Sequence, residues 1–392
     1  MIGSIEEMRD FEDRWERLRL ESGGTVFSSD FLVRTWFEAF SKTASPRVVV
    51  VENDHGLIGV APLAYYRYRV AGFPFKMLTL AGDVKGLLRL YTNSVLYRSE
   101  DPEALESLVM AIKRQDWNVL WTANMDRCKL VDQYMEKASS TWNCLDFDPV
   151  SKVTIPIPDS GEISCLFDKK GKRTLKKALN KIEREGHRMT FRNVPYEDID
   201  RAAETYAQQH IGRWATKGGS HFSNTNNVDF LKMASKAAYT RKKGFVYELE
   251  IDGQVAAQMF GFLEGRTAYG YRIGMSNDFM PYSPGWLICN SLFAELREKG
   301  IECCVMGRGS ERYKYEMGGV ESPLVGIGAT RGIASWVSRI ASSRPVKAIG
   351  SRLNQSGPAS VHIAPGETPV GADDMSEGTR NQAPLSPGGV ED

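Results

Sequence analysis

Between Tyr269 and Gly319 the chain sets out residue types suited to holding a phosphorylated ligand. A strand-like run, Tyr269-Gly-Tyr-Arg-Ile-Gly-Met275, leads into a loop carrying Tyr282-Ser-Pro-Gly-Trp286. A helical segment then runs to Lys299-Gly300, a short apolar strand covers Ile301 to Met306, and Gly307-Arg-Gly309 and Tyr313-Lys314 follow. Strand, loop, helix start and second strand together bring unpaired backbone N–H groups and the positive end of a helix dipole beside a ligand. Ser283 offers a capping hydroxyl, Pro284 suits an early helical position, and Gly285 leaves the backbone open to close approach. With Trp286 they form the candidate phosphate-binding group. Strand–helix junctions of this kind also occur where nothing binds. Gly307-x-Gly309 is too short and wrongly placed for a dinucleotide fingerprint, which excludes a Rossmann enzyme.

A second concentration of charge lies between Asp168 and Arg188. Its bases are Lys169, Lys170, Lys172, Arg173, Lys176, Lys177, Lys181, Arg184 and Arg188; its acids are Asp168, Glu183 and Glu185. Leu175, Ala178, Leu179 and Ile182 make an apolar stripe, so the segment reads as an amphipathic helix ended by Gly186. Such a run is either a solvated face or an anion clamp. Arg173 is the leading anion contact, because a guanidinium binds phosphate bidentately. The whole chain carries a net charge of only +1, which confines any anion site to a local patch and argues against DNA as a partner.

The cysteines (Cys128, Cys144, Cys165, Cys289, Cys303, Cys304) form no CxxC pair and read as reduced, buried thiols. No two histidines have metal-ligand spacing, so no metal is predicted. With 392 residues, 42% hydrophobic and 25% charged, the chain can bury a sizeable core in one large domain or two. The N-terminus is charged and helical in pattern rather than a signal peptide, and no apolar run approaches the length of a membrane span. A soluble, cytoplasmic protein is expected.

The elements that must position these residues repeat one plan. In the first half a helix from Phe31 to Phe40 precedes a strand, Val48 to Val51, and the turn Asn53-Asp-His-Gly56 leads into Leu57 to Tyr66. In the second half a helix from Val228 to Tyr239 precedes Phe245 to Ile251, and Asp252-Gly253 turns into Val255 to Leu263, then Thr267 to Met275. Each half continues helix, strand, helix: Glu103 to Arg114, Val119 to Thr122 and Leu130 to Ala138, then Trp286 to Glu298, Ile301 to Met306 and Glu311 to Met317. The duplication lies in pattern, not identity. Ile333, Trp336, Val337 and Ile340 suggest a short amphipathic helix over 331–341, and the Ser-, Gly- and Pro-rich tail 342–392 is expected to be disordered.

This order resembles the acyl-CoA-dependent N-acyltransferases of the GNAT class. The carrying residues are the hairpin Tyr247 to Ala256, the strand with Tyr269 and Tyr271, Tyr282-Ser-Pro-Gly285, and Gly307 to Lys314. The second half is similar to the acetyltransferase-like proteins of bacterial cellulose and exopolysaccharide synthesis. More distantly it resembles the FemAB peptidyltransferases, in which the Lys170 to Gly186 segment would correspond to a basic stretch opening the second domain. The resemblance implies an α/β protein of tandem GNAT-like domains with mixed, largely antiparallel sheets: a degenerate one over 1–150 and an acyltransferase domain over 151–330. The Gln/Arg-x-x-Gly-x-Gly/Ala loop of simple GNAT enzymes is missing, so acyl-CoA as donor follows from the resemblance alone.

Three carboxylates crowd the first-half helix start (Arg98-Ser-Glu-Asp-Pro-Glu103) and would repel a pyrophosphate, which places the donor in the second half. Acyl transfer to an amine needs the amine deprotonated, the thioester oxygen polarised and the thiolate protonated. Tyr313 is the candidate for protonating the thiolate, or else an aromatic packing under the last helix. Lys314 would hold a phosphate or carboxylate, or lie idle at the surface. Asp278, Glu248 and His221 are base candidates, each with a plainer reading as a turn acid, a solvent-facing strand residue and an incidental loop histidine. Alternation puts Tyr269 and Tyr271 on one face and Arg272 on the other, so the three would not all line the site. The expected acceptor is a small-molecule or glycan- or lipid-linked amine, with peripheral attachment to membrane synthesis machinery as a further partner. The alternatives are an aminoacyl-tRNA-dependent transferase, with tRNA on the basic helix, and a catalytically silent scaffold of a polysaccharide-synthesis complex.

Overall fold

The computed structural model describes residues 1–70, 73–145, 150–215, 218–332 and 334. The expected helix over 331–341, apart from its first residues, and the tail from 342 lie outside the described residues. In chain order the strands are β1 (Ser45–Pro46), β2 (Val49–Asn53), β3 (Gly56–Ala61), β4 (Leu63–Val70), β5 (Phe73–Leu80), β6 (Leu96–Tyr97), β7 (Val119–Asp126) and β8 (Asn143–Leu145). They continue as β9 (Val150–Pro156), β10 (Met189–Asn193), β11 (Gly244–Ile251), β12 (Gln254–Glu264), β13 (Thr267–Met275), β14 (Cys303–Arg308) and β15 (Val320–Thr330). The helices are α1 (Ile5–Arg9), α2 (Glu12–Glu21), α3 (Asp30–Phe40), α4 (Ala104–Lys113), α5 (Lys129–Thr141), α6 (Lys169–Arg184), α7 (Ile199–Trp214), α8 (Thr225–Thr240), α9 (Pro284–Glu298) and α10 (Arg312–Glu316). Among the described residues no helix is long and apolar enough to cross a membrane. Of the thiols expected to be buried, Cys289 and Cys304 are, whereas Cys128 and Cys165 are exposed.

The mixed α/β architecture centres on a 12-stranded sheet in the order β1-β4-β5-β7-β15-β9-β14-β13-β12-β11-β10, with β8 paired to β15. Beside it lies a 3-stranded sheet, β2-β3-β6. The expected single strand from Leu57 to Tyr66 is two strands: Pro62 has no N–H to continue the ladder, and on either side of it β3 and β4 enter different sheets. In both halves the parallel pair at the middle is short. β5 meets β7 only over Met77–Thr79 against Val119–Trp121, and β13 meets β14 only over Thr267–Tyr269 against Cys303–Val305. Beyond those pairs the strands part.

β9 and the last strand, β15, join the halves. β9, which follows the first half, pairs antiparallel with β14 of the second, while β15, which ends the second, pairs antiparallel with β7 of the first. β9 and β15 then pair with each other, closing the seam. The helical side is joined as well: Phe40 of α3 packs on Phe230 of α8 with ring centroids 5.5 Å apart, inside a core cluster drawn from both halves. Fully buried Arg19 of α2 sits between Glu16 and Glu264 at 2.7 and 3.0 Å, and Lys243 reaches Glu16 at 2.9 Å. Burial alone would raise the Glu16 carboxyl, but hydrogen bonds from Arg19 and Lys243 outweigh it and hold it at about 2.

Two predictions follow from the seam. Gly326 lies at an irregularity of the β15–β7 ladder, and a Cβ there would meet Ala123 Cα at 2.5 Å and Thr122 O at 2.7 Å, both backbone atoms. Gly326→Ala should therefore cost about 1–3 kcal/mol, as overpacking does. Thermal unfolding should stay a single transition at lower temperature; two separate transitions would mean that the halves unfold independently. For Glu16 the unfolded chain binds the extra proton between the ordinary carboxyl value and about 2, so its contribution is complete above pH 4.5 and fades as pH falls towards 2. Glu16→Gln should lower stability by about 1 kcal/mol at pH 7, discounted for its partial exposure, and denaturant titrations of the two proteins should converge in acid.

Candidate functional site

The parting of β13 and β14 leaves the edges of Gly270–Met275 and Met306–Gly309 facing a cavity of about 730 Å³. α9 starts on its wall. Ser283, Pro284, Gly285 and Trp286 all line the cavity. Pro284 carries no N–H, and among the described residues the Gly285 N–H has no protein acceptor, so the first turn of the helix presents an open donor. Ser283 does not cap as expected. It lies at φ 52°, ψ 53°, in the left-handed region, and makes no side-chain cap hydrogen bond, because capping needs an extended residue whose hydroxyl swings back over the first turn.

A polar chain braces that start. His187 Nδ1 lies 2.6 Å from an Asp252 carboxylate oxygen and Nε2 lies 2.8 Å from the Tyr282 hydroxyl, which donates to Glu185 at 2.7 Å. Gly171 of α6 abuts the Trp286 ring; a Cβ there would come within 2.8 Å of it. This fixes the first turn of the basic helix against α9. Asp168 caps that helix by accepting from the Gly171 N–H at 2.6 Å, and Gly186 follows its end at φ 73°.

The opposite wall comes from the first half. The segment after β5 runs across to the second half and contributes Leu87, Arg89 and Tyr91 to the cavity. Asn227 holds it: its side chain accepts from Leu88 N–H at 2.9 Å and donates to Gly86 O at 3.1 Å and His221 O at 2.7 Å. Tyr271 OH donates to Arg89 O at 2.8 Å and Arg272 Nη1 donates to Tyr91 OH at 2.8 Å. Tyr269 and Tyr271 both pack on Phe27, on one face as alternation requires. A bulge between Phe260 and Gly261 breaks the alternation at the next step, so Tyr271 and Arg272, consecutive residues, both line the cavity. Tyr269 does not line it, so the three do not share the cavity, and the bulge rather than plain alternation decides which two do.

Tyr313 and His221 also line the cavity. Burial, with Cys289 and Glu311 nearby, pushes the Tyr313 phenol up, so it stays protonated at neutral pH. A phenol weaker as an acid than a thiol donates a hydrogen bond rather than handing over its proton. Lys314 is not a surface lysine. It is fully buried, and its ammonium donates to Arg308 O at 3.0 Å and Gly309 O at 3.1 Å and pairs with Glu311 at 2.7 Å. It positions the β14–α10 turn. Asp278 is exposed on the 3-10 helix Asn277–Tyr282 before Ser283 and does not line the cavity, and Arg173 is exposed on α6, also off its wall. Glu248 is neither a base at the cavity nor solvent-facing: it is fully buried, held by Arg192, by Arg201 at 3.0 Å and by Gln258 at 2.7 Å.

Glu311, His210 and Arg213, to which the sequence assigns no role, complete the site. Glu311 is the one carboxylate lining the cavity among the described residues. His210 and Arg213 project from the end of α7, and the His210 ring stacks on Trp214 at 5.8 Å and lies 5.2 Å from that of His221. Burial, then the charges of His221, Arg272 and Arg213, depress His210 to about 3, leaving it neutral. A helix ending in His-x-x-Arg-Trp beside a glycine-rich turn was the available signal.

A family model described as an acetyltransferase (GNAT) domain matches residues 169–315. No curated protein matches the chain. Among solved structures the chain is similar to FemX, with TM-score 0.56 and 12% identity over 84% of this chain and 97% of that one. It is also similar to L-PGS from Bacillus licheniformis (TM-score 0.51, 14% identity, 87% of this chain, 96% of that chain). A third is the C-terminal domain of a putative lysylphosphatidylglycerol synthetase from Agrobacterium fabrum (0.50, 13%, 86% and 96%). The chain therefore has a GNAT acyltransferase-like fold, and the match to the acetyltransferase model falls in its second half.

Asn227 tests the construction of the wall. It is fully buried and serves three backbone groups from both halves. Asn227→Ala leaves them unsatisfied and should cost about 2–4 kcal/mol; urea denaturation should show it, and a loss below about 0.5 kcal/mol would mean the wall is held elsewhere.

Proposed function

We propose that the chain is an N-acyltransferase that moves an acyl group from acyl-CoA to an amine, in exopolysaccharide or cell-envelope metabolism. The observation that carries this reading is the parted β13–β14 pair opening onto a cavity that the uncapped start of α9 also faces. Freed strand edges offer N–H and C=O groups to an amide-bearing chain, and a helix start offers N–H groups and dipole to phosphate. Acyl-CoA carries both, and bound there it supplies an activated thioester carbonyl.

The protein's own residues divide the remaining work. Ser283 to Trp286 hold the phosphate end, with Gly285 allowing the backbone to approach. Tyr313 donates a hydrogen bond to the departing sulfur. Glu311, beside Lys314, accepts the proton from the attacking amine, whose acidity rises steeply once its nitrogen has bonded to carbon. Leu87, Arg89 and Tyr91 shape the acceptor side. The first half is thus an acceptor-shaping domain, and the envelope setting rests on family resemblance.

A second reading has one observation in its favour. α6 abuts Trp286, and Lys169, Lys172, Arg173, Lys176 and Lys177 are exposed along it with no ion pair among the described residues. A donor carried on tRNA would find phosphate contacts there. It would bind with a steep salt dependence that acyl-CoA would not show to the same degree.

Calorimetry with acetyl-CoA and longer acyl-CoAs separates the readings. Wild type should bind, and Gly285→Glu, which places a carboxylate at the helix start and crowds Met275 Sδ, should abolish binding. Absence of binding to any thioester, with salt-sensitive tRNA binding, would replace the first reading by the second. Once turnover is established, Tyr313→Phe should lower kcat by about 10- to 100-fold with little change in KM; an unchanged kcat would leave the hydroxyl without a role.

A further inference from the structure

The cavity is lined by more positive charge than the donor-binding start of α9 explains. Arg213 and Arg272 both line it, and neither has a carboxylate partner among the described residues. Arg272 is held rigidly: its guanidinium lies 4.8 Å from the Tyr271 ring centroid and 5.3 Å from that of Tyr91, with Nη1 on the Tyr91 hydroxyl. Its Nε is buried and unpartnered. A guanidinium fixed between two rings with a donor unspent is preorganised for an anion, since little further ordering is needed on binding. Arg213, at the end of α7, joins Arg272 in facing His210, whose imidazole feels both charges. The only described carboxylate on the wall, Glu311, already pairs with Lys314.

We infer that the amine acceptor also carries a compact oxyanion, a phosphate or a carboxylate, that seats on the guanidinium groups of Arg213 and Arg272. This rests on the acyltransferase reading for the word acceptor, but the anion site itself does not. Both arginines stand on the side of the cavity walled by Tyr91 and α7, and the α9 start remains for the donor's own phosphates. A neutral His210 beside them adds a polar contact without a competing charge, and the ring of Trp214 behind it supplies an optical reporter.

The test uses the full-length protein without donor. Tryptophan fluorescence and calorimetry are followed while ethylamine, β-alanine and phosphoethanolamine are titrated. The two anionic amines, or one of them, should bind about tenfold or more tighter than ethylamine, and their ranking assigns carboxylate or phosphate. Arg213→Gln and Arg272→Gln should each erase most of that preference, while Arg272→Lys should keep part of it. Arg213 lies half-exposed at a helix end, so its variant should fold, and its melting curve checks this. Equal binding of all three amines, or a preference that survives both glutamine variants, would overturn the inference. So would variants that lose acetyl-CoA while keeping the anionic amines, since the arginines would then belong to the donor. Acetyl-CoA titrated separately into the same wild-type protein keeps the two readings apart. If it fails to bind while the anionic amines do, the donor assignment falls and the anion site stands.

Discussion

A strand that leaves one half of this protein and completes the other is the constraint on which the rest depends. β15 lies against β7 of the first half and against β9, which in turn lies against β14, so the two halves share one continuous sheet. β14 takes β9 on one side and leaves β13 on the other after only three paired residues. An edge that parted without a substitute partner would strand backbone groups at considerable cost. β9 satisfies only the far edge of β14, so the edge towards β13 has no ladder partner from Met306 on and faces the cavity, where a ligand's amide groups can pair it.

The same logic separates the two halves chemically. The first half repeats the short parallel pair, β5 with β7, but the chain that follows β5 crosses to the second half. Leu88, Arg89 and Tyr91 are tied there through Asn227, Tyr271 and Arg272. What would form the rim of a first-half site instead becomes the far wall of the second. One copy of the duplicated plan supplies the opening and the other supplies its shape.

How much of this the sequence discloses depends on how local the cause is. The hairpin β11–β12 and helices α6, α8 and α9 were legible because an Asp-Gly turn, apolar stripes and a Pro-Gly start are local signals. β15 was not legible: Pro323, Gly326 and Gly328 interrupt its pattern, and its partners lie in the other half. The Ser283–Trp286 group, Tyr313 and His221, singled out from turn chemistry and aromatic placement, all line the cavity. Lys314 was misread because nothing local says that Glu311 and two carbonyls will bury it. Which of Tyr269, Tyr271 and Arg272 line the cavity was not legible because a bulge is set by the neighbouring strand, and the Leu87–Tyr91 wall was missed because its contacts lie far off in sequence.

The central claim is that one donor site exists, in the second half, at the parted β13–β14 pair. Hydrogen exchange with and without saturating acetyl-CoA tests it most directly. Protection should rise over Gly270–Met275, Pro284–Leu287 and Met306–Gly309, and stay unchanged over Met77–Asp83 and Trp121–Asp126. Protection appearing at the first-half pair instead would contradict the account, because the ligand would then occupy the copy that the crossing chain is held to have given up.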